Sequence, residues 1–259
     1  MPKSRTALAC AAAALTLTLT ACSGGSGNTS SGTAPSTPSP APTSTTPTTP
    51  ASTTPTAAPS PSLALPPRSA AQLSKALLAL ADLPSGFSIE KDDTGDNAAI
   101  SVTSKDSRCA RLVALTNADN PPGSKASAAQ SYSGGEQGPF VDESLDAMGS
   151  AAAVRALQRS FQQAIVNCRT MTLKIPGQGS SPISVRQVSA PQAGTDPVAV
   201  RFTATSGPLE GFEVTMVTTG IDDVVLAVTV VAGVPDDIDG ATTSAVTKAQ
   251  ATLGTRSGT

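Results

Sequence analysis

Histidine is absent from the 259 residues, which narrows the available chemistry before any element is placed. Its absence removes Ser-His-Asp and Cys-His nucleophile arrangements, His-ligated zinc and the commonest general base. Among the groups that remain, Ser88-Ile89-Glu90-Lys91 has Ser-x-x-Lys spacing, which serves acyl transfer only where the serine opens a helix with companion motifs nearby. Here the serine falls on an expected strand and the companions are missing, so the spacing is read as coincidence. Asp92, Asp93, Asp96 and Asn97 could offer oxygens to calcium, but they lack an EF-hand's alternate spacing and closing glutamate; a solvated turn is the reading. Asp236, Asp237 and Asp239 follow Pro235 and are read as first-turn charges meeting a helix dipole. The sequence holds no Gly-x-Ser-x-Gly, P-loop or dinucleotide-binding fingerprint. No catalytic, cofactor-binding or metal-binding residue is assigned, and the chain is expected not to be an enzyme.

The four cysteines carry the rest of the reactive chemistry. Lys3 and Arg5 precede an apolar run from Ala7 to Leu19, followed by Leu19-Thr20-Ala21-Cys22; these are the parts of a signal peptide. The run is too short, and too often interrupted by threonine, for a membrane span of about 20 apolar residues. Small residues before Cys22 let a peptidase approach the backbone, and the tetrad resembles a bacterial lipobox. That resemblance implies that residues 1–21 are a lipoprotein signal peptide, removed together with Cys10, and that Cys22 is diacylated on its sulfur. The competing reading is an ordinary cleaved signal. At about 0.8 kcal/mol per buried methylene, two acyl chains give a lasting anchor, so the membrane is an expected partner and its extracytoplasmic face the expected location. Cys109 and Cys168 then lie in an oxidising setting and are expected to form a disulfide; two buried free thiols are the alternative.

Composition divides the remainder into a spacer and a domain. Residues 22–68 are almost wholly Ser, Thr, Pro, Gly and Ala. Such a stretch has too little apolar surface to offset roughly 1–2 kcal/mol per residue of backbone ordering, so a disordered linker is expected. Its prolines, from Pro35 through Pro61, favour an extended form of about 3.1 Å per residue. A disordered tail is expected at 255–259. Removing Lys3 and Arg5 takes the 17 basic residues to 15 against 19 acidic, a balance of −4, and the basic residues are scattered singly. Nucleic acid is therefore not expected as a partner.

The elements of the domain, residues 69–254, follow from periodicity. Ser69 is a helix cap before Leu73, Ala76, Leu77 and Leu80, and that helix is expected to end near Leu83-Pro84. Strand material at Phe87–Glu90 and Ala99–Thr103 flanks the polar aspartate segment as a hairpin or loop. A short helix is expected from Asp106 to Leu115, then alternation at Ala126–Tyr132 and Phe140–Leu145. Ser150 to Cys168 is the clearest helix, with Val154, Leu157, Phe161 and Ile165 inward and Arg155, Gln158, Arg159, Gln162 and Gln163 outward. Five strands follow, at Met171–Ile175, Ile183–Val188, Val198–Thr205, Phe212–Thr218 and Val224–Val231, and Pro235 opens a closing helix. Val224–Val231 is apolar on both faces, which suits a central strand covered on both sides, or one covered by helix on one face and by loop or a partner on the other. The fold class is α+β: an antiparallel sheet with helices packed on it, preceded by a disordered linker. Phe161 and Phe202 read as core; Tyr132 and Phe140 flank the Gly-rich segment 133–138 and could line a cleft mouth.

Leu77-Leu78 through Leu83-Pro84-Ser85-Gly86-Phe87, the spacing of Cys109 and Cys168, the helix running into Cys168 and the late strands before a terminal helix together resemble a known family. It is the extracellular sensor domain of PknH-type serine/threonine kinases of actinobacteria, together with lipoproteins carrying a related domain alone. Members commonly have two disulfides and a tryptophan; this chain has one cysteine pair in the domain and no tryptophan. The resemblance implies an external α+β domain with a groove for an unidentified ligand. The expected function is a noncatalytic ligand-binding or interaction domain for an unknown small-molecule or envelope ligand, tethered to the membrane. The alternative is a lipid or glycolipid carrier, which needs a large apolar cavity.

Overall fold

The computed structural model describes Pro66, residues 68–90 and residues 100–254. The leader with Cys22, the spacer to residue 65, Lys91, the segment Asp92–Asn97 and the tail 255–259 lie outside the described residues. Arg68, counted with the spacer on composition, is part of the folded domain. Its side chain is 4% exposed, ion-paired to Asp223 at 2.7 Å, and donates to the carbonyls of Leu253 at 2.8 Å and Gly254 at 3.2 Å. One arginine does not alter a window's average composition, so the boundary was invisible there.

The strands among the described residues are β1 (Ser88–Ile89), β2 (Ser101–Thr103), β3 (Ala126–Ser133), β4 (Phe140–Ala147), β5 (Thr170–Ile175), β6 (Gly179–Val188), β7 (Thr195–Ala204), β8 (Glu213–Ile221) and β9 (Val224–Val231). They form one antiparallel sheet in the order β1-β3-β4-β9-β8-β7-β6-β5-β2. The expected α+β class is observed. The pair flanking the aspartate segment is not a hairpin, because β1 borders β3 at one edge and β2 borders β5 at the other. Both strands are too short for local pairing to outweigh a longer neighbour, so tertiary register decides.

The helices are α1 (Ala70–Ser74), α2 (Ala110–Thr116), α3 (Ala151–Asn167) and α4 (Pro235–Leu253). Ser69 caps α1 as expected, in a reciprocal arrangement with Gln72. The helix nevertheless stops well before Leu83. The Leu78 N–H is taken by a carboxylate oxygen of Glu143 at 2.8 Å and the Ala79 N–H by Asp82 at 2.8 Å, and a 3-10 turn follows at Leu80–Asp82. One distant side chain and one local one thus claim donors that would otherwise have continued the helix.

Side-chain alternation gives the sheet two unlike faces. On the first, Val141, Leu145, Val217, Leu226 and Val228 pack with Leu73 of α1 and Ala245 and Ala249 of α4. On the second, Val185, Val200 and Phe202 pack with Leu112 of α2 and Phe161 and Ile165 of α3, while Val225 meets Val154 and Leu157. Burial of each large side chain stabilises by roughly 1.5–3 kcal/mol. β9 is therefore a central strand covered by helices on both sides, the first of the two arrangements its apolar sequence allows. Among the described residues no helix is long and apolar enough to cross a membrane.

Candidate functional site

The helices leave part of each face uncovered, and a concavity lies on each. On the second face, alternation along β4 points Ser144 and Asp146 away from the core residues Val141 and Leu145. With Thr218 of β8 and Thr229 of β9 they floor a pocket of about 160 Å³, walled by Leu157, Gln158 and Phe161 of α3 and by the segment from Leu115 to Pro121. Asp146 is 3% exposed and accepts a hydrogen bond from the Ser124 hydroxyl at 2.9 Å. Burial pushes its carboxyl above the usual range, opposed by the hydroxyls of Ser124 and Ser127. Thr218 is 8% exposed, and its hydroxyl oxygen has no hydrogen-bond partner among the described residues. Buried polar atoms are ordinarily satisfied, so this oxygen, itself out of reach of solvent, stands as an unmet polar group beneath the pocket floor.

Thr116 and Met216 line this pocket and also a second one of about 140 Å³. The second is apolar, walled by Ile100, Leu173, Ile183, Phe202 and Val214. The two make a groove with one dry end and one end offering a carboxyl and hydroxyls. Such a groove can hold a polar group by hydrogen bonds while covering a short apolar one.

On the first face, a wider cleft of about 980 Å³ opens beside the start of α4, between Pro235, Ile238 and Asp239 and the segment Gln187–Gln192. Its floor includes Arg201 and Thr215. The Arg201 Nε lies 3.2 Å from a Glu213 carboxylate oxygen and donates to the Thr215 hydroxyl at 3.3 Å.

Cys109 and Cys168 are joined by a disulfide, with Cα atoms 4.6 Å apart. It ties the start of α2 to the end of α3 and lies in the core of the second face rather than in the groove. Phe161 and Phe202 are buried as expected, and each also touches one end of the groove. Tyr132 lines no cleft mouth: it is 0% exposed, and its hydroxyl donates to the Leu78 carbonyl at 2.6 Å. The strand period that placed it gave its face but not what covers that face, which is α1. Gln158, expected outward, is buried and donates to the Asp196 carbonyl at 3.1 Å. Ser88 is exposed on β1, and Lys91 lies outside the described residues. Asp237 accepts the Val234 N–H at 2.8 Å, a helix-start role. No cluster of metal-ligating side chains occurs among the described residues. The groove residues Asp146, Ser144, Thr218 and Thr229 escape sequence reading. The period-two acids and serine of β4 are their one signal.

No family model matches the chain, and no curated protein does. Among solved structures, the extracellular domain of PknH from Mycobacterium tuberculosis matches with a TM-score of 0.54 at 18% identity, over 73% of this chain and 98% of that one. At this identity the likeness shows the fold: this domain has the architecture of that extracellular domain.

Proposed function

We propose that the chain is an extracytoplasmic, sensor-like lipoprotein whose domain binds a ligand without transforming it. In this reading residues 1–21 are a cleaved signal, Cys22 carries the acyl chains and residues 23–67 are a spacer on the extracytoplasmic face of the membrane. Support comes from the shared architecture with a domain described as extracellular, from the disulfide, which oxidising compartments favour, and from a sequence without histidine. The observation that carries ligand binding is the groove over Asp146 and Thr218, with a carboxyl and an unsatisfied hydroxyl at its floor beside an apolar end.

A lipid carrier drew its support from the two-sided apolar strand Val224–Val231. Those side chains are taken up by α1 and α4 on one face and by α3 on the other. The apolar end of the groove, about 140 Å³, is well below the roughly 300–1,000 Å³ of drug-sized ligand sites, and an acylated lipid needs more. The ligand expected is a small molecule with a hydrogen-bonding head.

Mass spectrometry of the full chain isolated from its own envelope tests the reading. The expected results are an N-terminus at diacylated Cys22 and, under native conditions, a bound small molecule that is displaced by Ala227→Leu, which enlarges a β9 side chain lining the groove between Val225 and Thr229. Recovery of intact residues 1–21 overturns the anchor, and a bound mass unaffected by Ala227→Leu overturns the groove.

A further inference from the structure

Register places Arg186 of β6 directly opposite Arg201 of β7. Their sequence neighbours Val185, Val200 and Phe202 are buried in the core of the second face, so both arginines point to the first face, where no helix covers them. Directly opposed side chains have Cβ atoms about 4.5–5.5 Å apart, and like charges in that relation destabilise a sheet. Glu213 offsets one charge only, through the Arg201 Nε. The two terminal nitrogens of Arg201 and the exposed guanidinium of Arg186 make no hydrogen bond among the described residues. Two forks of N–H donors held side by side on a rigid sheet are the donor set that planar or tetrahedral oxyanions fit.

We propose that Arg186 and Arg201 form an oxyanion-binding pair, Arg201 on the floor of the cleft beside α4 and Arg186 directly across from it on β6, taking a single phosphate or carboxylate group. Thr215, buried and directly opposite Arg201 on β8, holds the Arg201 Nε from the side and fixes the guanidinium before the anion arrives. Asp239 on the facing wall repels additional negative charge, so one anionic group is accommodated rather than a polyanion. This site is on the opposite face of the sheet from the groove, and the proposal stands or falls independently of the ligand reading made there.

The test is thermal denaturation and calorimetric titration of the full chain with inorganic phosphate and, separately, with acetate. Binding is expected in the wild type for at least one of them, with a melting temperature that climbs as the anion concentration is raised. It should weaken about tenfold or more in Arg201→Gln, which loses charge-assisted hydrogen bonds. Arg186→Gln, at an exposed position, provides a second readout: without added anion it should melt higher than the wild type, because the opposed charge is gone, yet it should lose the response to anion. Arg201-dependent binding to phosphatidylglycerol vesicles but not to phosphatidylcholine vesicles would assign the anion to a lipid headgroup; phosphate binding without that vesicle dependence would assign a soluble ligand. Absence of binding to both anions, or equal binding in wild type and both variants, overturns the proposal.

Discussion

Glu143 is the residue whose environment departs furthest from an exposed side chain of its type. It projects from β4 into the first core at 1% exposure, and one oxygen accepts the Leu78 N–H. Burial pushes its carboxyl from near 4.5 up to about 7, the Leu78 hydrogen bond opposes this, Asp82 adds to it and Lys248 counters. Between those two values the folded protein keeps a proton that the unfolded chain has released. Stability is therefore highest below the unfolded value and falls as pH rises, with the loss complete above about 7; the gap corresponds to roughly 3 kcal/mol. In Glu143→Gln, urea denaturation at pH 5 and pH 8 should give nearly equal stabilities where the wild type differs. An unchanged difference in the variant would place the dependence on another group.

Between elements, the disulfide and the sheet edge do the fastening. Cys109 and Cys168 close a loop with a sequence separation of 59, for which the chain-entropy model gives about 4 kcal/mol. Replacing both with alanine should lower the urea midpoint of the oxidised protein accordingly, and reductant should bring the wild type towards the variant. At the β2 edge, the Asn117 side chain accepts the Val102 N–H at 2.9 Å and donates to the Val102 carbonyl at 2.7 Å, standing in for a further strand. This level was unevenly legible in the sequence. The long strands and α3 follow a single period over many residues, so local pattern and tertiary need agree. The end of α1, the partners of the two-residue β1 and the burial of Gln158 depend on Glu143, β3 and Asp196, distant contacts that no local window contains. The groove was hidden for the same reason: Asp146 and Thr218 lie on different strands brought together by β9.

At the scale of the whole domain, the helices cover different parts of the sheet's two faces: α1 and α4 lie over β3, β4, β8 and β9, while α2 meets β2 and α3 lies over β6–β9. That offset is what leaves a concavity on each side. Arg68 closes the arrangement by joining the entry of the chain to the turn at Asp222–Asp223 and to the last carbonyls of α4. Arg68→Ala removes the cation from beside the buried Asp223 and should destabilise the domain by about 3 kcal/mol or more, read as a lowered melting temperature in the full chain. A drop within experimental error would mean the ion pair only fixes the chain's path. Because that single side chain reaches both ends of the described domain, polypeptide arriving and polypeptide leaving share one pole. The 19 residues of α4 run about 28 Å from there to Pro235. A host protein or surface attached at either terminus would hold the domain by one corner, leaving the arginine pair beside the far end of that helix turned outward, and pulling force would load the Arg68 clasp before it loaded any strand.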